Sequence, residues 1–213
     1  PIDVLRKIDD FERINKKFNI IVDEICKYMN TPQKKPYYFV FDVELPDNCP
    51  SCGYPLVFTY DSIDGILNQE DKPRDLFTAI TLMAILLIRE DVFDQITETA
   101  IATVVACVVF QVLYPDFDPH DFDAVTMPKL FHELWEIHSR FDPTLIPKTL
   151  EKFQDPNYQV HDVPEDMWIA FVREMCRIGQ RDFTNLLERT RPIPMNISRS
   201  LQGLPPYQFV GCQ

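Results

Sequence analysis

Glycine is scarce in this chain: 5 residues out of 213, against 18 prolines. That leaves no material for a glycine-rich loop bringing backbone amides onto a phosphate, and both the dinucleotide fingerprint and the P-loop are absent. Basic side chains are scarce in the middle of the chain. Between Asp42 and Asp123 only Lys72, Arg74 and Arg89 stand against sixteen carboxylates, a charge of −13 in a chain whose total is −12. With a pI near 4.7, the chain opposes docking on a nucleic-acid backbone, which needs cations to displace counterions. Long apolar runs are missing as well. The two longest, residues 76–88 and 100–113, fall short of the ~18–20 residues that a membrane-crossing helix needs. They read as buried core helices, with a helical hairpin lying in a membrane as the alternative. No Ser, Cys or Lys occupies a recognisable nucleophile context, which argues against an enzyme.

What is present is enough for a core. At 46% hydrophobic composition over 213 residues, a single domain is expected. Six cysteines, Cys26, Cys49, Cys52, Cys107, Cys176 and Cys212, are dispersed except for one pair and follow no secretory leader, which points to the reducing cytoplasm or a virus particle assembled there. Pro1 and Gln213 match the ends left by ribosome skipping and by proteases that cut after Gln, so release from a viral polyprotein is one expectation. Removal of an initiator Met explains Pro1 most simply.

Periodicity predicts a helix over 3–29. Val4, Ile8, Phe11, Asn15, Phe18, Val22, Ile25 and Met29 alternate spacings of four and three, and Ile14, Ile21 and Tyr28 widen the stripe. That is a core-facing amphipathic helix, or a short coiled coil in which a buried Asn15 sets register. After Thr31-Pro32 the period changes to two, through Phe39, Phe41, Val43 and Leu45 and again through Tyr54, Leu56, Phe58 and Tyr60, which predicts a β-hairpin over 37–60. Further helices are expected from Pro73 to about Ile88, over about 91–114, over 128–140, and from Pro164 to near Arg189 with a bend at Gly179. The stretch 142–163, punctuated by prolines, reads as loop. Arg-Pro-Ile-Pro and Leu-Pro-Pro-Tyr mark residues 191–213 as an extended arm.

The sharpest local motif is Cys49-Pro50-Ser51-Cys52-Gly53, where two thiolates on a turn offer one half of a tetrahedral metal site. It resembles the knuckle of zinc ribbons and rubredoxins. The second Cys-x-x-Cys of those folds is missing, so zinc would need partners from Cys26, Cys107, Cys176, His120, His132, His138 or His161. A free-thiol turn or an oxidisable pair are the other readings. His132-Glu133-Leu134-Trp135-Glu136 places Glu136 where a zinc-protease helix has its second histidine, and reads as a solvated face. Asp116, Asp118, Asp121 and Asp123 crowd one loop without the Gly and Glu of an EF-hand, and read as an acidic docking surface.

The expected architecture is therefore mainly α with one β-hairpin, as a single helical domain over 1–190 with the hairpin at 37–60 and an extended arm at 191–213. The expected function is non-catalytic: a structural or adaptor subunit of an oligomer or larger assembly, such as a viral or phage particle, with no cofactor beyond a structural zinc at Cys49 and Cys52. Its partners would be other protein subunits, without direct nucleic acid, a membrane remaining the less favoured alternative. The contacts would come from Arg191, Arg199, Leu204, Tyr207 and Phe209 of the arm and from Asp116, Asp118, Asp121 and Asp123 of the acidic loop. The alternatives are an acidic inhibitor or immunity-type protein covering a basic site, and a membrane-associated non-structural protein from a viral polyprotein.

Overall fold

In a computed structural model the structure describes residues 2–31, 39–42, 56–59, 62–67, 73–88, 92–119, 126–155, 158, 164–201 and 203–208. The helices are α1 (Ile2–Met29), α2 (Ser62–Leu67), α3 (Pro73–Leu87), α4 (Gln95–Leu113), α5 (Lys129–Glu136), α6 (Leu145–Gln154), α7 (Pro164–Gly179), α8 (Thr184–Leu187) and α9 (Met195–Ser200), with a π-helical stretch at Ile137–Phe141 and two short strands, β1 (Phe39–Asp42) and β2 (Leu56–Thr59). The mainly helical expectation holds. The hairpin does not: β1 and β2 run parallel, with Phe39 opposite Leu56 and Asp42 opposite Thr59. A hairpin loop such as 46–53 joins antiparallel strands, whereas parallel strands need a crossover of about a dozen residues or more. The connection 43–55 supplies that length and lies outside the described residues.

The chain folds as two compact units, one made of residues 1–87 and 105–126, the other of 88–104 and 127–213.

In the first unit α1 buries Ile14, Phe18, Ile21, Val22, Ile25 and Met29. Asn15 is exposed, and the buried stripe combines Phe18, Val22, Ile25 and Met29 of the heptad with Ile14 and Ile21 beside it. The helix stops where Asn30 takes φ 50° and the Thr31 amide reaches back to the Cys26 carbonyl at 3.0 Å, an αL cap that Pro32 makes final. Lys17 donates to the Ile66 carbonyl at 2.7 Å, placing an ammonium on the carbonyl end of α2. Burial, helped by nearby Arg13, holds its pKa below the usual lysine value. Against α2, the bare Cα of Gly65 leaves room for Asp75 of α3, whose side chain a Cβ would overlap. Phe77 of α3 meets Phe110 at 5.8 Å, and Phe58 of β2 meets Phe18 at 6.0 Å.

The second unit repeats one local device three times: an aspartate whose carboxylate turns back onto the amides of a starting helix. Asp94 accepts from the amides of Ile96 (3.0 Å) and Thr97 (3.1 Å) and from the Thr97 hydroxyl (3.0 Å). Asp142 accepts from the amide and hydroxyl of Thr144 at 2.8 and 2.7 Å, and Asp182 from those of Thr184 at 2.9 and 2.6 Å. Helix α6 occupies part of the stretch expected as loop. Pro147 sits in its first turn, where its missing N–H has no intrahelical partner to lose. Helix α7 ends at Gly179 instead of bending there: Gln180 takes φ 50° and the Arg181 amide bonds the Cys176 carbonyl at 3.2 Å. Glycine is required at 179 by packing, since a Cβ would sit 2.9 Å from the Phe183 ring and 3.1 Å from Leu145.

The extended arm is the second correction. After Pro194 the chain forms α9, with Ile193, Ile197 and Leu201 buried. It then lies beside Asp182, whose amide donates to the Pro205 carbonyl at 3.0 Å and whose carbonyl accepts from the Tyr207 amide at 2.8 Å. The Tyr207 ring packs on Phe183 (5.4 Å) and edge-on to Phe141 (6.0 Å). An arm bearing that many apolar side chains lowers its free energy by burying them in its own unit.

Candidate functional site

Two places collect the residues that the sequence singles out. The first is the turn after α4. The Tyr114 and Phe117 amides bond back to Phe110 (2.8 Å) and Tyr114 (3.0 Å), and Gln111 Nε2 donates to the Phe117 carbonyl at 3.3 Å. The Phe117 ring is wedged against Phe110 at 4.6 Å and Phe77 at 6.3 Å. Its two neighbours, Asp116 and Asp118, are exposed. An aromatic anchor between two carboxylates holds both on a backbone with little freedom, so they present paired negative charge at low entropic cost. The unit that contains this turn carries eighteen acidic and ten basic side chains, a charge of −8, which is most of the chain's excess. Asp121 and Asp123, the other two carboxylates of the loop, lie outside the described residues.

The second is the start of the C-terminal segment. Arg191 Nη1 donates to Asp94 Oδ2 at 2.5 Å and to Thr97 Oγ1 at 2.7 Å, while its guanidinium carbon lies 5.3 Å from the centre of the Trp168 ring. Side-chain exposures of 17% and 22% make this a largely desolvated pair. Burial pushes the Asp94 carboxyl up, but the bond from Arg191, the two from Thr97 and the charge of Arg191 outweigh it, and the carboxyl sits below its ordinary value. Arg191 is thus engaged within its own unit. Leu204 is half-buried and Tyr207 is held as described. Phe209 and the side chain of Arg199 lie outside the described residues.

The cysteines offer no thiolate among those described. Cys107 and Cys176 are buried. Burial drives Cys107 far up and Cys176 up to about 12, the latter although it accepts from the Phe183 amide. Cys26, half-buried, is raised by burial and by Asp23. Cys49 and Cys52 lie outside the described residues, as do His120 and His161; among the described residues no three His, Cys, Asp or Glu side chains converge as metal ligands. His132 is exposed, whereas His138 is buried on the π-helical stretch, stacked 5.0 Å from Trp135. Burial lowers its pKa against the opposing pull of the Pro143 carbonyl and Asp142. Among the described residues α4 is the one helix long and apolar enough to cross a bilayer by length and composition, and 61% of that window is buried.

No family model, curated protein or solved structure matches this chain. The Arg191 cluster was out of reach of sequence reasoning because its members are scattered between positions 94 and 191. The Asp-x-Thr and Asp-x-x-Thr spacings of the three caps are legible in the sequence.

Proposed function

We propose that this protein acts without catalysis, as an acidic binding module that covers a basic surface of another protein. The observation that supports this reading is the anchored turn carrying Asp116 and Asp118 in the unit with a charge of −8. Paired carboxylates on a fixed backbone suit an Arg or Lys cluster on a partner, speeding association and selecting orientation. The assembly reading relied on a C-terminal arm gripping a neighbour. With Arg191, Ile193, Ile197, Leu201 and Tyr207 engaged within their own unit, an inhibitor-type or adaptor role through the acidic face is favoured over a subunit locked by its arm.

The test is affinity isolation from the source cells at low ionic strength, comparing the natural chain with Asp116→Asn/Asp118→Asn. A basic protein is expected on the natural chain at stoichiometric ratio, eluting with rising salt as screened charges lose their attraction, and depleted on the variant. Equal recovery on both, or a partner indifferent to salt, would remove this reading.

A further inference from the structure

The second unit contains an open groove of about 520 Å³ between the end of α6, the last two turns of α7 and the C-terminal segment, a volume in the range of small-molecule sites. We propose that it binds a small amphipathic organic anion, a carboxylate or sulfonate carrying an apolar body. Two cations reach the groove, Lys152 and Arg177, against one acid, Glu174. Glu174 is committed: its Oε1 accepts from Arg177 Nη1 at 3.0 Å, and its side chain is 18% exposed where that of Arg177 is 66% exposed. The carboxylate therefore fixes the guanidinium while leaving most of the donor fork facing solvent. The carbonyl end of α7, which would repel an anion, is partly covered: the Arg177 carbonyl accepts from Gln180 Nε2 and the Cys176 carbonyl from the Arg181 amide. Ile178, Leu201 and Leu204 supply the apolar surface. Two of these three belong to the C-terminal segment, and the turn between them is closed by the Leu204 amide on the Leu201 carbonyl at 3.1 Å, with Gly203 at φ 103°. An acid head between Lys152 and Arg177 with its body on Ile178 and Leu204 satisfies both halves of the groove. This site is independent of the acidic turn.

The experiment titrates the intact protein with 8-anilino-1-naphthalenesulfonate by fluorescence and displaces the dye with octanoate. One saturable, octanoate-displaceable site per chain is expected, weakened about tenfold or more in Lys152→Gln/Arg177→Gln, a loss equal to one or two charge-assisted contacts, with an unchanged melting temperature. Ser200→Trp, which fills the groove from its wall, should abolish the site, and it decides the matter if the double variant fails to melt cooperatively. Non-saturable dye binding, no binding, or a site that survives these substitutions overturns the proposal.

Discussion

Replacing Arg191 with alanine isolates the contact that ties the C-terminal segment to α4. The guanidinium supplies a charged bond to Asp94, a second bond to Thr97 and a cation over Trp168. Breaking a buried ion pair by removing one partner costs about 3–5 kcal/mol when the survivor is stranded. Asp94 is not stranded, because the amides of Ile96 and Thr97 and the Thr97 hydroxyl still point at it. We therefore expect about 2–3 kcal/mol, the sum of one charged hydrogen bond and a partly desolvated cation–π contact, or a melting temperature lower by about 4–12 °C for a chain of this size. The pH dependence carries a sign. The Asp94 carboxyl is held low in the folded protein, so its share of the stability is present above the ordinary aspartate value of 3.8 and is lost as pH falls through the lower folded value. The deficit of Arg191→Ala relative to the natural chain should be full at pH 7 and shrink below that range. Differential scanning calorimetry from pH 7 to pH 3 measures it. A variant that melts with the natural chain at pH 7, or a deficit that acid leaves unchanged, refutes the reasoning.

Truncation after Thr190 removes the side chains of Ile193, Ile197 and Leu201, all buried, each contributing about 1.5–3 kcal/mol; the second unit is expected to lose its cooperative transition, and a truncated chain that melts like the intact one would mean this segment does not pack. Val105→Asp places a carboxylate where the side chain has 0% exposure and should unfold the protein at a cost of several kcal/mol; a soluble variant with a sharp melt would contradict the burial of α4. His138 is held neutral by burial, so its contribution is complete above about pH 6.5 and is lost as pH falls towards its depressed folded value; urea midpoints of His138→Phe should therefore slope less between pH 7 and pH 5 than those of the natural chain. For Cys49 and Cys52 the measurement is elemental analysis of protein never exposed to chelator, where less than about a tenth of an equivalent of zinc would dispose of the four-ligand site.

Much of this architecture is written locally. Prolines at 73 and 164 open α3 and α7, Thr31-Pro32 closes α1, and the near-uniform apolarity of α4 announces a central position, because each signal acts within one or two turns of backbone. The errors arose where a local signal was compatible with two outcomes. Alternating Phe39-Phe41 and Leu56-Phe58 implies extended backbone but is silent on direction, and the parallel pairing emerged only from the fold. Pro147 looked like a loop marker and proved to be a first-turn residue. Asn15 lies on the expected heptad yet is exposed, while Phe18, Val22, Ile25 and Met29 of the same heptad are buried together with Ile14 and Ile21.

By itself the sequence determined the helical class, most helix boundaries, the burial of most of residues 76–84 and 100–110, and the concentration of negative charge between 42 and 123. These depend on composition and on periods of two or 3.6 residues, which the chain carries without reference to distant neighbours. Only the tertiary structure decided that Arg191 pairs with Asp94, that Tyr207 lies on Phe141 and Phe183, that Phe117 anchors Asp116 and Asp118, and that Lys152, Arg177 and Leu204 share a groove. The reason is physical: an extended apolar segment gains the same free energy by covering its own unit or another chain, and the choice rests on shape complementarity that no short-range pattern encodes.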